Sequence, residues 1–210
     1  MKNIKTIALL LGLTGVSAAL ANPALIKEGE TAYNANCVFC HQADAIGKAG
    51  AAPSLTNPEF LAISSDEFLK GTISDGRPGT SMVPYSHLGD ETIEAIVAYL
   101  RSHETMPRRA EDVDNQPAAE GDAEHGQELF SAICSTCHGR KGDGYLTGGS
   151  GTAIGMQGFL DKVSDGYIRE TIAKGRSNTR MLGFQGPEGN ANLTDQEVDD
   201  IIVYMRTLEH

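Results

Sequence analysis

Tryptophan is absent from the 210 residues, and Phe and Tyr together make up only 6% of them. A domain of ~80–90 residues with so few large rings has a marginal side-chain core. A large buried cofactor would make up the deficit. Basic residues are scarce as well: 17 Lys and Arg face 28 Asp and Glu, a net charge of −11. Phosphate repels such a chain, which argues against nucleic acid and disfavours an anionic membrane surface. Cationic protein surfaces are its natural partners. Beyond residue 20 no apolar run is long enough to cross a bilayer. Also missing are a Ser/His/Asp set, a phosphate loop, paired catalytic carboxylates and any sustained two-residue alternation of the kind a strand shows. Asp199-Asp200 and Glu111, Asp112 and Asp114 read as solvated acidic surface.

The apolar stretch that is present lies at the start. Lys2 and Lys5 precede Ile7–Leu20, and Ala19-Leu20-Ala21 has the small-x-small form of a secretory cleavage site. The stretch is short for a membrane span, so residues 1–21 are expected to be a cleaved signal peptide. The mature protein is then exported, in a bacterium to the periplasm, and has no membrane span. Its net charge becomes −13, because Lys2 and Lys5 leave with the signal.

What remains repeats itself. Glu28–His41 (EGETAYNANCVFCH) matches His125–His138 (HGQELFSAICSTCH) at an offset of 97. Ser65–Met82 matches Ser164–Met181 at 99, and Leu88–Arg101 matches Leu193–Arg206 at 105. Two homologous domains follow, residues 22–105 and 121–210. Between them, residues 106–120 hold two prolines and six charges and almost no apolar periodicity, so they read as a linker that need not pack the domains rigidly. Each domain reads as helical. Ser65 and Ser164 suit N-caps. Ile93, Ile96, Val97 and Leu100 take the spacing of one helix face. Arg101 and Arg206 suit the negative ends of the last helices.

The four cysteines fall in two C-x-x-C-H motifs, Cys37/Cys40/His41 and Cys134/Cys137/His138. This is the attachment pattern of a c-type haem. Two thiols three apart reach two vinyl groups on one porphyrin edge, and the next residue projects an imidazole over the ring. Two simple disulfides, a thioredoxin-like pair or one shared zinc site are the alternatives. Haem iron takes a sixth ligand, and Met opposite His favours Fe(II) and raises the potential. Met82 and Met181 lie 41 and 43 residues after His41 and His138, each beyond a Gly-Arg pair. Both are expected to be axial ligands. Met205 reads as core, and Met106 and Met156 as unpaired loop residues. His87 reads as surface, and His103, His125 and His210 as solvated.

Each half resembles a class I cytochrome c domain. The resemblance rests on Gly29/Tyr33 and Gly126/Phe130 in the first helix, the C-x-x-C-H, the distal Met, and Tyr99 and Tyr204 in the last helix. The tandem is similar to the dihaem cytochrome c4 type. The resemblance implies an all-α fold, crossed first and last helices, and two covalent haem c groups. It also implies that the Pro53 carbonyl accepts from the proximal imidazole, with Thr152 at the aligned place. Arg77 and Arg176 are expected to contact haem propionates.

The leading expectation is a soluble dihaem electron carrier between redox partner proteins. A haem subunit of a larger oxidoreductase is the second reading, and an enzyme acting on a small sulfur substrate the third. Arg140, Lys141, Arg176 and Arg180 have no basic counterparts in the first half except Arg77. The two haem edges are therefore expected to differ in local charge.

Overall fold

The computed structural model describes residues 22–187 and 189–208. The expected signal peptide and His210 lie outside them. Helix α1 is Pro23–Asn36, α2 Val38–His41, α3 Pro58–Ile63, α4 Asp66–Asp75 and α5 Asp90–Arg101. Then come α6 Ala110–Asp114, α7 Ala123–Leu129, a π turn over Phe130–Cys134 and α8 Ser135–His138. Helices α9 Gln157–Leu160, α10 Asp165–Lys174 and α11 Asp195–Arg206 complete the second half. The described residues contain isolated β-bridges but no strand.

The helices start where the sequence provides caps. Asn22 accepts from Ala24 N at 3.1 Å, with Pro23 in the first turn. Ser65 and Ser164 accept from Phe68 N and Tyr167 N at 3.0 Å each. Thr194 and Glu197 form a capping box at α11.

Helices α1 and α5 cross in the first domain, and α7 and α11 in the second. The crossings are backbone-close: a β-carbon on Gly29 would overlap the Ala95 carbonyl oxygen, and one on Gly126 the Asp200 carbonyl oxygen. Beside them lie Tyr33 and Phe130, both fully buried. Their rings sit 5.2 Å from Tyr99 and 5.4 Å from Tyr204. Arg101 and Arg206 do more than balance helix dipoles. Arg101 donates to the Leu61 and Ser64 carbonyls at 2.7 and 2.6 Å and pairs with Asp66. Arg206 donates to Leu160 and Val163 and pairs with Asp165. Each guanidinium ties the last helix to the same junction of its domain.

The segment between the domains departs from the expected loose linker. It folds as a strap. Helix α6 buries Val113 to 2% exposure, and Gly166 of α10 leaves the room that the Val113 carbonyl occupies. Arg109 N donates to Ala62 O at 2.8 Å in the first domain, while its side chain pairs with Glu170 in the second. Ser164 Oγ donates to Asp114, and Ala119 N donates to Asp165. The domains also touch directly. Asn57 donates to Ser177 O, Ser177 donates to Glu59, Lys162 pairs with Asp75, and the Phe68 and Tyr167 rings lie 5.4 Å apart.

Expectations for five further residues are corrected by tertiary packing. Met156 is core, 8% exposed, because the second domain meets the loop of Gly79 there. Asp114 accepts from Ser164, and Asp199 pairs with Arg169, so neither is free surface. His103 is half-buried, edge-on to Tyr99 at 5.0 Å. Asp200 is buried at 4% exposure and accepts from Asp122 N and from His125 Nδ1, both at 2.8 Å.

The last of these pairs predicts a pH effect confined to the second domain, whose counterparts in the first are Glu28 and Ala95. The bond to Asp200 raises the His125 pKa against a small desolvation cost. Burial pushes Asp200 up, but the Asp122 N–H, His125 and Gln196 outweigh it and leave it low. His125 thus stabilises the fold below the ordinary histidine value and loses that as pH rises through its raised one. Asp200 stabilises above the ordinary carboxylate value and loses that as pH falls through its lowered one. The difference in melting temperature between parent and His125→Gln should be largest between about pH 4 and about 6.5 and shrink on both sides. A pH-independent difference would refute the pairing.

Candidate cofactor sites

Helices α2 and α8 each carry Cys-x-x-Cys-His on one short turn directly beneath the helix crossing. All four thiols are free. Burial, and then the neighbouring thiol, push Cys37 up to about 11 and Cys134 to about 12. Both are therefore protonated at neutral pH. Among the described residues no three His, Cys, Asp or Glu side chains converge as a bare-metal site.

The two imidazoles are set alike. His41 Nδ1 lies 3.0 Å from the Pro53 carbonyl oxygen, and His138 Nδ1 lies 2.8 Å from that of Thr152. A carbonyl only accepts, so Nδ1 carries the hydrogen and Nε2 keeps its lone pair for a metal. The aligned Thr152 thus does with its backbone what Pro53 does. Gly151 makes this approach feasible, since a β-carbon there would stand 2.7 Å from the His138 ring. Burial foremost lowers the His41 pKa, opposed by the Pro53 bond and assisted by the positive charge of Arg77. Burial likewise lowers His138 against the Thr152 bond. Both rings are neutral, the ligating form.

Met82 and Met181 are half-buried and held by the same turn. Arg77 N donates to Met82 O at 2.8 Å, and Arg176 N donates to Met181 O at 2.6 Å. Thr80 Oγ1 accepts from Met82 N and donates to Arg77 O; Thr179 does the same for Met181 and Arg176. Sequence reasoning missed both threonines, although each stands two before its Met in the shared Gly-Arg-x-x-Thr-x-Met. His87, in contrast, is exposed and lies against Tyr85.

A family model described as "Cytochrome C oxidase, cbb3-type, subunit III" matches residues 24–100, and one described as "Cytochrome c" matches residues 123–209. The chain is a tandem of two cytochrome c domains. A cbb3-type cytochrome c oxidase subunit CcoP from Rubrivivax gelatinosus is 29% identical over 167 residues, covering 77% of this chain and 49% of that protein. Subunit FixP from Azorhizobium caulinodans is 29% identical, covering 89% of this chain and 62% of that protein. The chain thus spans about half to two thirds of the length of these relatives. The reducing HAO-like protein complex of Kuenenia stuttgartiensis shares the fold at a TM-score of 0.50 and 20% identity, over 88% of this chain and 96% of that one.

The cofactors of this cytochrome c tandem are two covalently bound c-type haems, and its domains are electron-transfer domains. The residues present fit that cofactor. Each half offers two free thiols, a neutral imidazole with a free Nε2 and a thioether on a matched turn. No helix among the described residues is long and apolar enough to cross a membrane.

Proposed function

We propose that this cytochrome c tandem is the dihaem electron-transfer subunit of a larger oxidoreductase of the cbb3 oxidase kind. The observation that carries this reading is the similarity along most of the chain to proteins named as such subunits. It favours the second of the initial readings over the free carrier.

In this reading residues 1–21 direct export and are removed. Residues 22–105 and 121–210 are the two haem domains on the periplasmic side, joined by 106–120. Bound haem supplies the Fe(III)/Fe(II) couple. Cys37 and Cys40 hold the first porphyrin, and Cys134 and Cys137 the second. His41 with Met82 would hold the first iron, and His138 with Met181 the second. The Pro53 and Thr152 carbonyls fix each imidazole and strengthen it as a donor. The methionines hold the potentials high. Arg77 serves a propionate of the first haem.

Exposed apolar side chains occur in both domains, Leu146 and Leu182 in the second, but the most exposed is in the first. Phe39, inside the first motif, is 93% exposed, and Ile46 and Val83 are exposed too. Thr136 stands at the place matching Phe39, and the second motif is followed by exposed Arg140 and Lys141. An apolar anchor ringed by polar residues is how interfaces are built, and the acidic chain around it favours a cationic partner. Purification from native membranes in mild detergent should find the chain comigrating with a larger oxidase. Phe39→Ser should weaken that association roughly tenfold, the effect of losing ~1.4 kcal/mol at one anchor. Migration alone, unchanged by salt or detergent, would return the free-carrier reading.

A further inference from the structure

Arg77 and Arg176 stand at matched places, yet their side chains keep different company. Arg176 is satisfied inside its own domain. Its Nη2 donates to Thr171 Oγ1 at 2.7 Å and to Tyr167 Oη at 3.3 Å, and its Cζ lies 5.6 Å from the Tyr167 ring centre. The guanidinium of Arg77 has no hydrogen-bond or ion-pair partner among the described residues. It lies between two phenyl rings from the two domains: Phe68 of α4 at 5.9 Å and Phe159 of α9 at 5.0 Å. The next residue shares the contact, because a β-carbon on Gly158 would stand 2.6 Å from Pro78 Cδ. The second domain thus walls in a cation that belongs to the first.

A guanidinium stacked on rings is fixed in place, but rings do not neutralise it. Arg77 is half-buried, and a cation partly withdrawn from water without a counter-charge is stabilised by an anion that completes it. The anions a c-type haem brings to such a place are its propionates, which planar bidentate Arg suits.

We infer that Arg77 is a positioning residue for the first haem whose setting is provided by the second domain: Phe159 holds the guanidinium, and its charge raises the first haem's reduction potential. This rests on the ligand assignment proposed above for His41. The sign follows from charge alone. Fe(III) haem carries one positive charge more than Fe(II) haem, so a nearby cation disfavours it, and an unpaired propionate would favour it. Removing Arg77 therefore lowers the potential through both. Arg176, already bonded within its domain, has no such dependence on its neighbour.

The test is a spectroelectrochemical titration of the intact holoprotein, with the two haems told apart in a Met181→His background that displaces the second. Arg77→Gln should reduce the reduction equilibrium constant of the first haem roughly tenfold, about 59 mV for one electron, with the second unchanged. Phe159→Leu should shift that same first haem in the same direction, although the substitution lies in the other domain. Arg77→Lys, which keeps charge but not planarity, should restore part of the loss. If Phe159→Leu leaves the first haem unmoved while Arg77→Gln lowers it, the second domain has no part in its setting and the inference fails. It fails also if Arg77→Gln shifts neither haem, or both equally. A failed ligand assignment is seen separately: Met82→Ala then leaves the first haem's spectrum and potential unaltered.

Discussion

Replacing Gly29 with alanine is expected to be the most destabilising single-methyl change in the first domain. At the α1–α5 crossing the added carbon would occupy the position of the Ala95 carbonyl oxygen. Both neighbours are helical backbone, so neither can swing aside as a side chain would. The helices must part, and Tyr33, Tyr99 and Ile96 lose contact together. Overpacking of this kind costs ~3 kcal/mol or more. That corresponds to a fall in melting temperature of roughly 12–24 °C for a domain of this size. Gly50→Ala is the control. Gly50 has a φ of +76° but nothing within 4 Å, so alanine there bears only the left-handed backbone cost of roughly 1–2 kcal/mol. Melting of the holoprotein, followed by circular dichroism, distinguishes them. Equal shifts for the two would mean that the crossing is looser than described.

The second large effect concerns the cofactor itself. Denatured parent should remain red, with an intact mass above that of the polypeptide by two haems. Cys37→Ser/Cys40→Ser should lose one of them, and Cys134→Ser/Cys137→Ser the other. Within the intact protein, Met82→His should lower the first haem's potential by far more than any surface substitution, because imidazole is the stronger donor to Fe(III). The second haem should stay in place. A parent of apo mass, or one carrying stoichiometric zinc, would overturn the cofactor assignment. A Met82→Ala protein with unaltered spectrum and potential would remove Met82 from the ligand set.

Much of this architecture was legible because it is local or repeated. A cap such as Ser65 acts within four residues. The C-x-x-C-H pair and the matched Met82 and Met181 were visible because two copies in one chain serve as each other's control. The Gly29 and Gly126 pairing with the last helix came from resemblance, and the close approach is what the fold shows. The misreadings share one physical cause, burial by partners distant in sequence. Val113 is one apolar residue among charges, and nothing local tells that Gly166 will make a seat for it. Asp199 and Asp200 are the same letter, yet one faces Arg169 and the other turns inward to accept from Asp122 N and His125 Nδ1. Met156 looked unpaired because its packing partner is the other domain. Thr80 and Thr179 were hidden by attention to the methionine they hold.

The folded strap over residues 106–120 changes what kind of conductor this chain is. Two domains on a slack tether would exchange an electron only when diffusion brought their edges together, at rates that depend on solvent viscosity. Here Arg109 is bonded to one domain through its backbone and to the other through its side chain. The gap between the two redox centres is therefore a fixed property of the fold, like a bond length. Transfer between haems held at the two sites would then be a first-order step within one chain, independent of dilution.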